Sequence, residues 1–173
     1  MSEQTTRPED GPRPHRYTRT VRLDDLDWLR HVNNARLLQM VQEAHISMFY
    51  LERAEPGAEI QIRHVYARHE LNYVEPLRMQ SEPVTIETRV TEIGRSTMVL
   101  ASRVRDAERT FCKCTSTLVS YDNDAKRSCR LQEEELAFLS RHFLPTDDCA
   151  FSGPRPRAAP RSPAFTVTTA HRA

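Results

Sequence analysis

The chain has 173 residues, a length typical of a single domain that buries a core of moderate size. Its 25 Lys and Arg residues nearly balance its 24 Asp and Glu residues, so the composition gives no electrostatic case for binding nucleic acid or a membrane surface. The sequence contains no apolar span of about 20 residues and no signal-peptide pattern, so we expect a cytoplasmic protein without a membrane partner.

Both ends of the chain are polar and rich in proline. We predict that residues 1–15 are disordered, because they offer almost no apolar surface to bury. From residue 145 onwards prolines alternate with arginines, and we predict a disordered Pro/Arg-rich tail over residues 145–173. The folded domain is therefore expected to span residues 16–144.

The first predicted element is a strand over residues 17–23, where apolar and polar side chains alternate. Arg19 interrupts its apolar side. An acidic loop follows over residues 24–30, and we expect Asp25 to hold this loop through hydrogen bonds to the backbone.

Asn33 and Asn34 favour the start of a helix, because Asn is a preferred N-cap residue. Asp27 and His31 then lie just upstream of the helix N-terminus. Free backbone N–H groups and the positive end of the helix dipole can bind a developing negative charge there. A carboxylate beside such a helix end fits an acyl-transfer site.

A long helix is predicted over residues 34–53. Leu37, Val41, Ala44 and Met48 recur at three- and four-residue steps, and further apolar residues extend the stripe around most of the helix. A helix that is apolar over most of its circumference is a buried one. The pair Pro56-Gly57 is expected to end it.

The rest of the chain is rich in predicted strands, with a tight turn at Gly94 and a second, shorter helix over residues 131–143. In the first of these strands we place Val65, Ala67, Leu71 and Tyr73 on one face. The strands cover residues 60–73, 84–90, 98–104 and 111–121. One long buried helix against about five antiparallel strands is an α+β layout. A single sheet leaves an exposed edge strand, which dimerisation would cover.

The block Asp25-x-Asp27-x3-His31-Val32-Asn33-Asn34-Ala35-Arg36, followed by Glu43-Ala44, resembles the signature of hotdog acyl-CoA thioesterases of the 4-hydroxybenzoyl-CoA thioesterase type. The resemblance runs over residues 17–139. It implies the hotdog fold, in which a curved antiparallel sheet wraps around one long central helix. It also implies a homodimer or homotetramer with the active site at the subunit interface.

The function that this resemblance implies is hydrolysis of an acyl or aryl thioester of coenzyme A, or of acyl carrier protein, to free acid and thiol. This hydrolysis needs no metal and no redox cofactor. Coenzyme A takes part only as a portion of the substrate. The resemblance makes Asp27 the catalytic carboxylate, which either activates water or attacks the thioester itself. From spacing alone, Asp27 is as readily interpreted as a structural cap for a turn or for the helix as it is as a catalytic carboxylate.

The resemblance brings further residues into the expected site. His31 would orient the carboxylate, hold the thioester carbonyl or shuttle a proton. The backbone amides of residues 32–34 would donate to the oxyanion, with the Asn33 and Asn34 side chains serving mainly as caps and loop ties. Glu43 is the fallback carboxylate, because a second hotdog subtype carries its catalytic acid on this helix.

Arg95 and Ser96 are candidate contacts for the coenzyme A phosphates. They follow Gly94, and the resemblance places a similar Gly-x-Ser-Ser/Thr sequence here. Arg30 stands where family members usually have glycine. Its long cationic side chain would either narrow the acyl entrance or meet the phosphates.

Two other functions compete with thioester hydrolysis. Hotdog enoyl-CoA hydratases use an Asp-x-Asn-Pro-x-His block, whereas here His31 follows Asp27 by four residues and no Asn-Pro occurs between them. A non-catalytic protein that binds acyl-CoA without turnover is the other alternative, and Arg30 and the unusual tails of the chain are its main support.

The cysteines give no metal site. Cys112 and Cys114 share one face of a predicted strand, and no second pair has the spacing of a zinc site. We expect them to be free thiols that pack as small apolar side chains.

Overall fold

The central element of the fold is a long helix, α1 (Asn34–Tyr50), which packs against an antiparallel sheet. The computed structural model describes residues 11–50 and 63–145. A second helix, α2, covers Glu133–Ser140. The strands are β1 (His15–Arg19), β2 (His64–Tyr73), β3 (Val84–Ile93), β4 (Thr97–Arg105), β5 (Thr110–Asp122) and the two-residue β6 (Arg127–Ser128).

The strand order across the sheet is β1-β3-β4-β5-β2, every neighbouring pair is antiparallel, and β6 pairs with β5. One face of α1 is buried against this sheet, with Met40, Val41, Ala44 and Met48 fully inaccessible. The predicted hotdog architecture, a curved antiparallel sheet with one long helix packed on it, is confirmed. Neither helix in the described ranges is long and apolar enough to cross a bilayer.

The apolar core divides into two parts along α1. The first half of the helix packs with Ile86, Phe111, Cys112 and Cys114, and the second half packs with α2 through Phe138. Cys112 and Cys114 are buried free thiols, as predicted. Burial of Cys112 raises its pKa to about 12, which makes it an unreactive core residue at neutral pH.

Several boundaries differ from those predicted. β1 begins at His15, inside the segment predicted to be disordered, because His15–Arg19 pairs residue by residue with β3. It ends at Arg19 rather than at residue 23, where a 3-10 turn over Leu23–Asp25 replaces the strand. Residues 1–10, 51–62 and 146–173 lie outside the described residues, and with them the predicted helix end at Pro56-Gly57.

The prediction that Val65 and Leu71 lie on the same face of β2 is wrong, because a bulge between Tyr66 and Arg68 shifts the alternation of side chains. His69 is hydrogen-bonded to Gln42 of α1, and Leu71 packs against the core, so both face the helix. Val65, which was assigned to the same face as Leu71, is exposed. Among the described strands β2 is paired on one side only, which makes it the long edge strand of the sheet.

Candidate functional site

A short hairpin between the 3-10 turn and α1 presents the acidic residue of the predicted site. Leu26 and Val32 pair across its base, the Asp27 N–H bonds the His31 carbonyl at 2.7 Å, and the Arg30 N–H bonds the Asp27 carbonyl at 3.0 Å. This is a three-residue hairpin loop in which the last loop residue adopts the left-handed conformation. Arg30 occupies that position, with φ of 60°.

The Asp27 carboxylate is held by the backbone of its own hairpin. Its Oδ1 accepts hydrogen bonds from the Leu29 N–H at 2.9 Å and from the His31 N–H at 3.1 Å. Oδ2 forms no hydrogen bond with any residue that the structure describes. One oxygen therefore fixes the orientation of the side chain, and the other is available to a ligand or a water molecule.

His31 contacts Asp27 through its backbone N–H and carbonyl. Its Nε2 is buried and has no hydrogen-bond partner within residues 11–50 and 63–145. A buried polar atom without a partner costs about 1–3 kcal/mol, unless water or a ligand satisfies it. The ring nitrogen is therefore a position at which a bound molecule gains a hydrogen bond.

Asn33 caps α1 as predicted. Its Oδ1 accepts a hydrogen bond from the Ala35 N–H at 2.9 Å, and its carbonyl accepts one from the Leu37 N–H at 3.0 Å. An N-cap of this kind satisfies one of the free N–H groups at the helix start. Asn34 is the first helical residue, and its side chain is exposed.

Two of the three amides expected to bind an oxyanion are already occupied. The Val32 N–H bonds the Leu77 carbonyl at 2.7 Å, and the Asn33 N–H bonds the Asp25 carbonyl at 2.9 Å. This part of the expected site is corrected, because the hairpin uses these donors to attach itself to neighbouring segments. Of the three, the Asn34 N–H alone has no acceptor in the described part of the chain.

A cavity of about 420 Å³ adjoins these groups, a size typical of ligand pockets. Asp27, His31 and Asn34 line one side of it together with the start of α1 as far as Leu37. Its other wall is the segment from Tyr73 to Leu77, which follows β2. The structure thus brings Asp27, His31 and the first residues of α1 to one cavity.

Glu43 does not line this cavity. Its Oε2 accepts a hydrogen bond from Arg19 Nη1 at 2.9 Å, and the same guanidinium reaches Asp25 through Nη2 at 2.8 Å. Asp25 also accepts the Arg22 N–H, so it holds the loop as expected. In this single chain Glu43 belongs to an ion-pair cluster rather than to the cavity wall.

Arg95 and Ser96 lie far from Asp27. They form the turn between β3 and β4, where Gly94 N–H bonds the Thr97 carbonyl at 2.8 Å. The hairpin adjoins the opposite end of β3, where Arg19 pairs with Val84. The ten residues of β3 separate the two ends by about 30 Å at 3.3 Å per residue. One chain does not bring them together.

Two parts of the site were not predicted. The Tyr73–Leu77 wall depends on the long-range pairing of β2 with β5, which leaves no local signal in the sequence. Arg19 did leave a signal, since an arginine on the apolar side of a strand needs buried partners. Within the described ranges no cluster of three or more His, Cys, Asp or Glu side chains is arranged to hold a metal ion.

The sequence matches the Thioesterase-like superfamily over residues 21–139. A search of curated proteins gave no match. Among solved structures, a thioesterase from Thermus thermophilus complexed with coenzyme A and Zn is 29% identical, with a TM-score of 0.63 over 76% of this chain and 93% of that one.

Two further structures share the fold at lower identity. A predicted thioesterase from Bacillus stearothermophilus is 18% identical, with a TM-score of 0.67 over 76% of this chain and 98% of that chain. A 1,4-dihydroxy-2-naphthoyl-CoA thioesterase from Synechocystis is 16% identical, with a TM-score of 0.64 over 73% of this chain and 95% of that one. The chain belongs to the thioesterase-like superfamily.

Proposed function

We propose that the protein hydrolyses a thioester of coenzyme A or of acyl carrier protein to a carboxylic acid and a free thiol. The observation that carries this proposal is the Asp27 carboxylate, fixed by two backbone N–H groups at the wall of a cavity that also contains the start of α1. Family membership and the coenzyme A complex of the Thermus thermophilus thioesterase support it.

In this proposal, Asp27 Oδ2 either takes a proton from water or attacks the thioester carbon, expels the thiolate and forms a mixed anhydride that water then hydrolyses. By the first route, the water oxygen bonds to the carbonyl carbon, the carbon–sulfur bond breaks, and the proton passes to the leaving thiolate. The Asn34 N–H and the helix dipole stabilise the negative charge on the carbonyl oxygen. His31 lines the same cavity and is proposed as a further donor or proton carrier. The chain's own residues suffice for these steps, and no cofactor is proposed.

Arg30 closes the hairpin three residues after Asp27 and does not line the cavity, so we propose it for the entrance to the substrate site and not for the cavity wall. The pantetheine arm separates the thioester from the phosphates, so a side chain beside the carboxylate is better placed to shape the acyl entrance. Arg95 and Ser96 remain proposed phosphate contacts, but only toward the cavity of a second subunit. The active species is therefore proposed to be a homodimer or a homotetramer.

The test is a thiol-release assay with aryl, short and long acyl-CoAs on wild type and Asp27→Asn. We expect Asp27→Asn to lower kcat at least about 100-fold, as removal of a general base does. Asp24→Asn is the matched control, since Asp24 is an exposed acid of the same loop, and its kcat should equal that of wild type.

Two outcomes would contradict the proposal. Full activity of Asp27→Asn would remove the assigned mechanism. Tight binding of acyl-CoA without thiol release, across the whole substrate panel, would instead support the non-catalytic binding alternative.

A further inference from the structure

Arg19 lies at the point where β1, the hairpin and α1 meet. It is the last residue of β1, and its side chain is 12% exposed. Its two terminal nitrogens bind two different carboxylates, Asp25 at 2.8 Å and Glu43 at 2.9 Å. We call this pair of contacts, from one guanidinium to Asp25 and to Glu43, the Arg19 fork. A planar guanidinium is suited to it because its donors point in fixed directions.

The Asp25 contact connects Arg19 to residues next to the proposed active site. The Asp25 carboxylate is 1% exposed, and its second oxygen accepts the Arg22 N–H at 2.8 Å. Its main-chain carbonyl accepts the N–H of Asn33, the cap of α1, at 2.9 Å. Asp25 therefore joins the end of β1 to the start of the helix.

The Glu43 side fixes the body of the helix. Glu43 lies on α1 nine residues after its start, and Gln39 also donates to its carboxylate at 3.3 Å. Arg19 thus contacts the base of the hairpin with one nitrogen and α1 with the other. Asp27 follows Asp25 by two residues and Asn34 follows Asn33 by one, so these contacts set the distance between the carboxylate and the helix N–H.

We infer that Arg19 is a positioning residue of the proposed thioesterase, which holds Asp27 in register with the first amide of α1 through Asp25 and Glu43. The inference rests on the proposed function, and it assigns to Arg19 no contact with substrate. Because misplacement of a reacting group by about 1 Å lowers rates by about 100-fold, loss of this fork acts on kcat more than on KM.

The experiment compares Arg19→Met, Arg19→Lys and Arg16→Met by thiol release. We expect Arg19→Met to lower kcat about 100-fold with KM little changed. Lysine keeps the charge but reaches one carboxylate at a time, so Arg19→Lys should recover part of kcat. Arg16→Met is the matched control, since Arg16 lies on the same strand and pairs with Glu87, away from the hairpin. Its kcat should match that of wild type.

A second measurement does not depend on activity. Hydrogen exchange of the Leu29 and His31 amides, which both donate to Asp27, reports whether the hairpin is held. We expect faster exchange at both amides in Arg19→Met and no change in Arg16→Met. If Arg19→Met fails to fold, Arg19→Lys and the double variant Arg19→Met/Asp25→Asn, which leaves no buried unpaired carboxylate at position 25, take its place.

The outcomes separate the two proposals. Wild-type hydrolysis together with an unchanged kcat and unchanged exchange in Arg19→Met would overturn the inference and leave the proposed function standing. An inactive wild type would overturn the proposed function, and the exchange rates would still decide whether Arg19 holds the hairpin.

Discussion

At the scale of single residues, Arg30 occupies a backbone conformation that is costly for any side chain with a Cβ atom. Its φ of 60° follows from its place in the hairpin loop, where the chain must turn back toward α1. The left-handed conformation costs an L-residue about 1–2 kcal/mol. Glycine avoids that cost, which explains physically why a glycine is expected at this position of the signature.

We predict that Arg30→Gly raises the free energy of unfolding by about 0.5–1 kcal/mol. The relief of backbone strain exceeds the extra entropy that glycine gives the unfolded chain, which is about 0.5–1 kcal/mol. Thermal and urea unfolding measure the difference. Lys126→Gly, at the other non-glycine residue with positive φ among the described residues, should shift stability in the same direction.

The opposite control is Arg36→Gly, in the first turns of α1, which should lower the free energy of unfolding by about 1 kcal/mol. A lower stability of Arg30→Gly, alongside a stabilised Lys126→Gly, would contradict this prediction. It would mean that the Arg30 side chain makes contacts that outweigh the strain.

At the scale of elements, α1 carries a histidine at the centre of its buried face. His45 is fully buried, with Nδ1 3.2 Å from the Tyr66 hydroxyl and Nε2 2.9 Å from Ser102 Oγ. Ser102 Oγ lies in turn 2.9 Å from Thr88 Oγ1. These contacts satisfy both ring nitrogens of a neutral imidazole. They link the helix to β2, β3 and β4.

The burial of His45 predicts a dependence of stability on pH. Desolvation, with smaller contributions from His69 and His15, lowers its pKa from 6.5 to about 3. Between these values the unfolded chain binds a proton that the folded protein does not, so the free energy of unfolding falls as pH drops through this window. One proton corresponds to about 1.4 kcal/mol per pH unit.

We predict that His45→Gln, which has no titrating ring, loses stability less steeply than wild type when the pH falls from 6.5 to 4. Urea unfolding at each pH measures the slope. Thr88→Val is the control, because it disturbs the same hydrogen-bonded cluster and leaves the histidine in place. Equal slopes in His45→Gln and wild type would show that this ring is not the source of the acid sensitivity.

Local sequence signals predicted where helices and strands occur better than which of their side chains face the core. The start of α1 was predictable because Asn33 is a cap whose chemistry acts within two residues. The inward face of β2 was not, since one bulge next to Tyr66 reverses the alternation that the prediction used. The sequence also gives no sign that the amides of Val32 and Asn33 are bound by the carbonyls of Leu77 and Asp25, so they were not available to a ligand as predicted.

At the scale of the whole molecule, β2 is a long strand with one strand neighbour in the part of the chain that the structure describes. Among the described residues its backbone is unpaired along one edge, and Val65 and Tyr73 on this strand are exposed. Unpaired edges with apolar side chains favour pairing with another strand. A second copy joined here would extend the sheet, and such an assembly is needed if Arg95 is to serve an Asp27 site.

We predict that wild type is at least a dimer in solution, and that Val65→Lys shifts it toward monomer without loss of fold. A charge on the edge opposes strand pairing, while an exposed side chain contributes little to the core. Light scattering with size-exclusion chromatography measures the mass, and circular dichroism checks the fold.

Thr18→Lys is the control, since Thr18 is an exposed residue of β1, the edge strand at the other side of the sheet. Its mass should equal that of wild type. A monomeric Thr18→Lys with a dimeric Val65→Lys would move the interface to β1, and a monomeric wild type would contradict the assembly altogether.

The chain contains a single tryptophan, Trp28, and it lies in the hairpin loop directly after Asp27 with 89% of its surface exposed. Its fluorescence in the folded protein is therefore that of an indole in water, and unfolding will change the emission wavelength little. The same emission would respond to another chain that covers the loop, or to a ligand that extends from the cavity beside Asp27 and Leu29 as far as Trp28. The protein thus carries an intrinsic optical probe of its proposed site, one that is nearly silent about the state of its core.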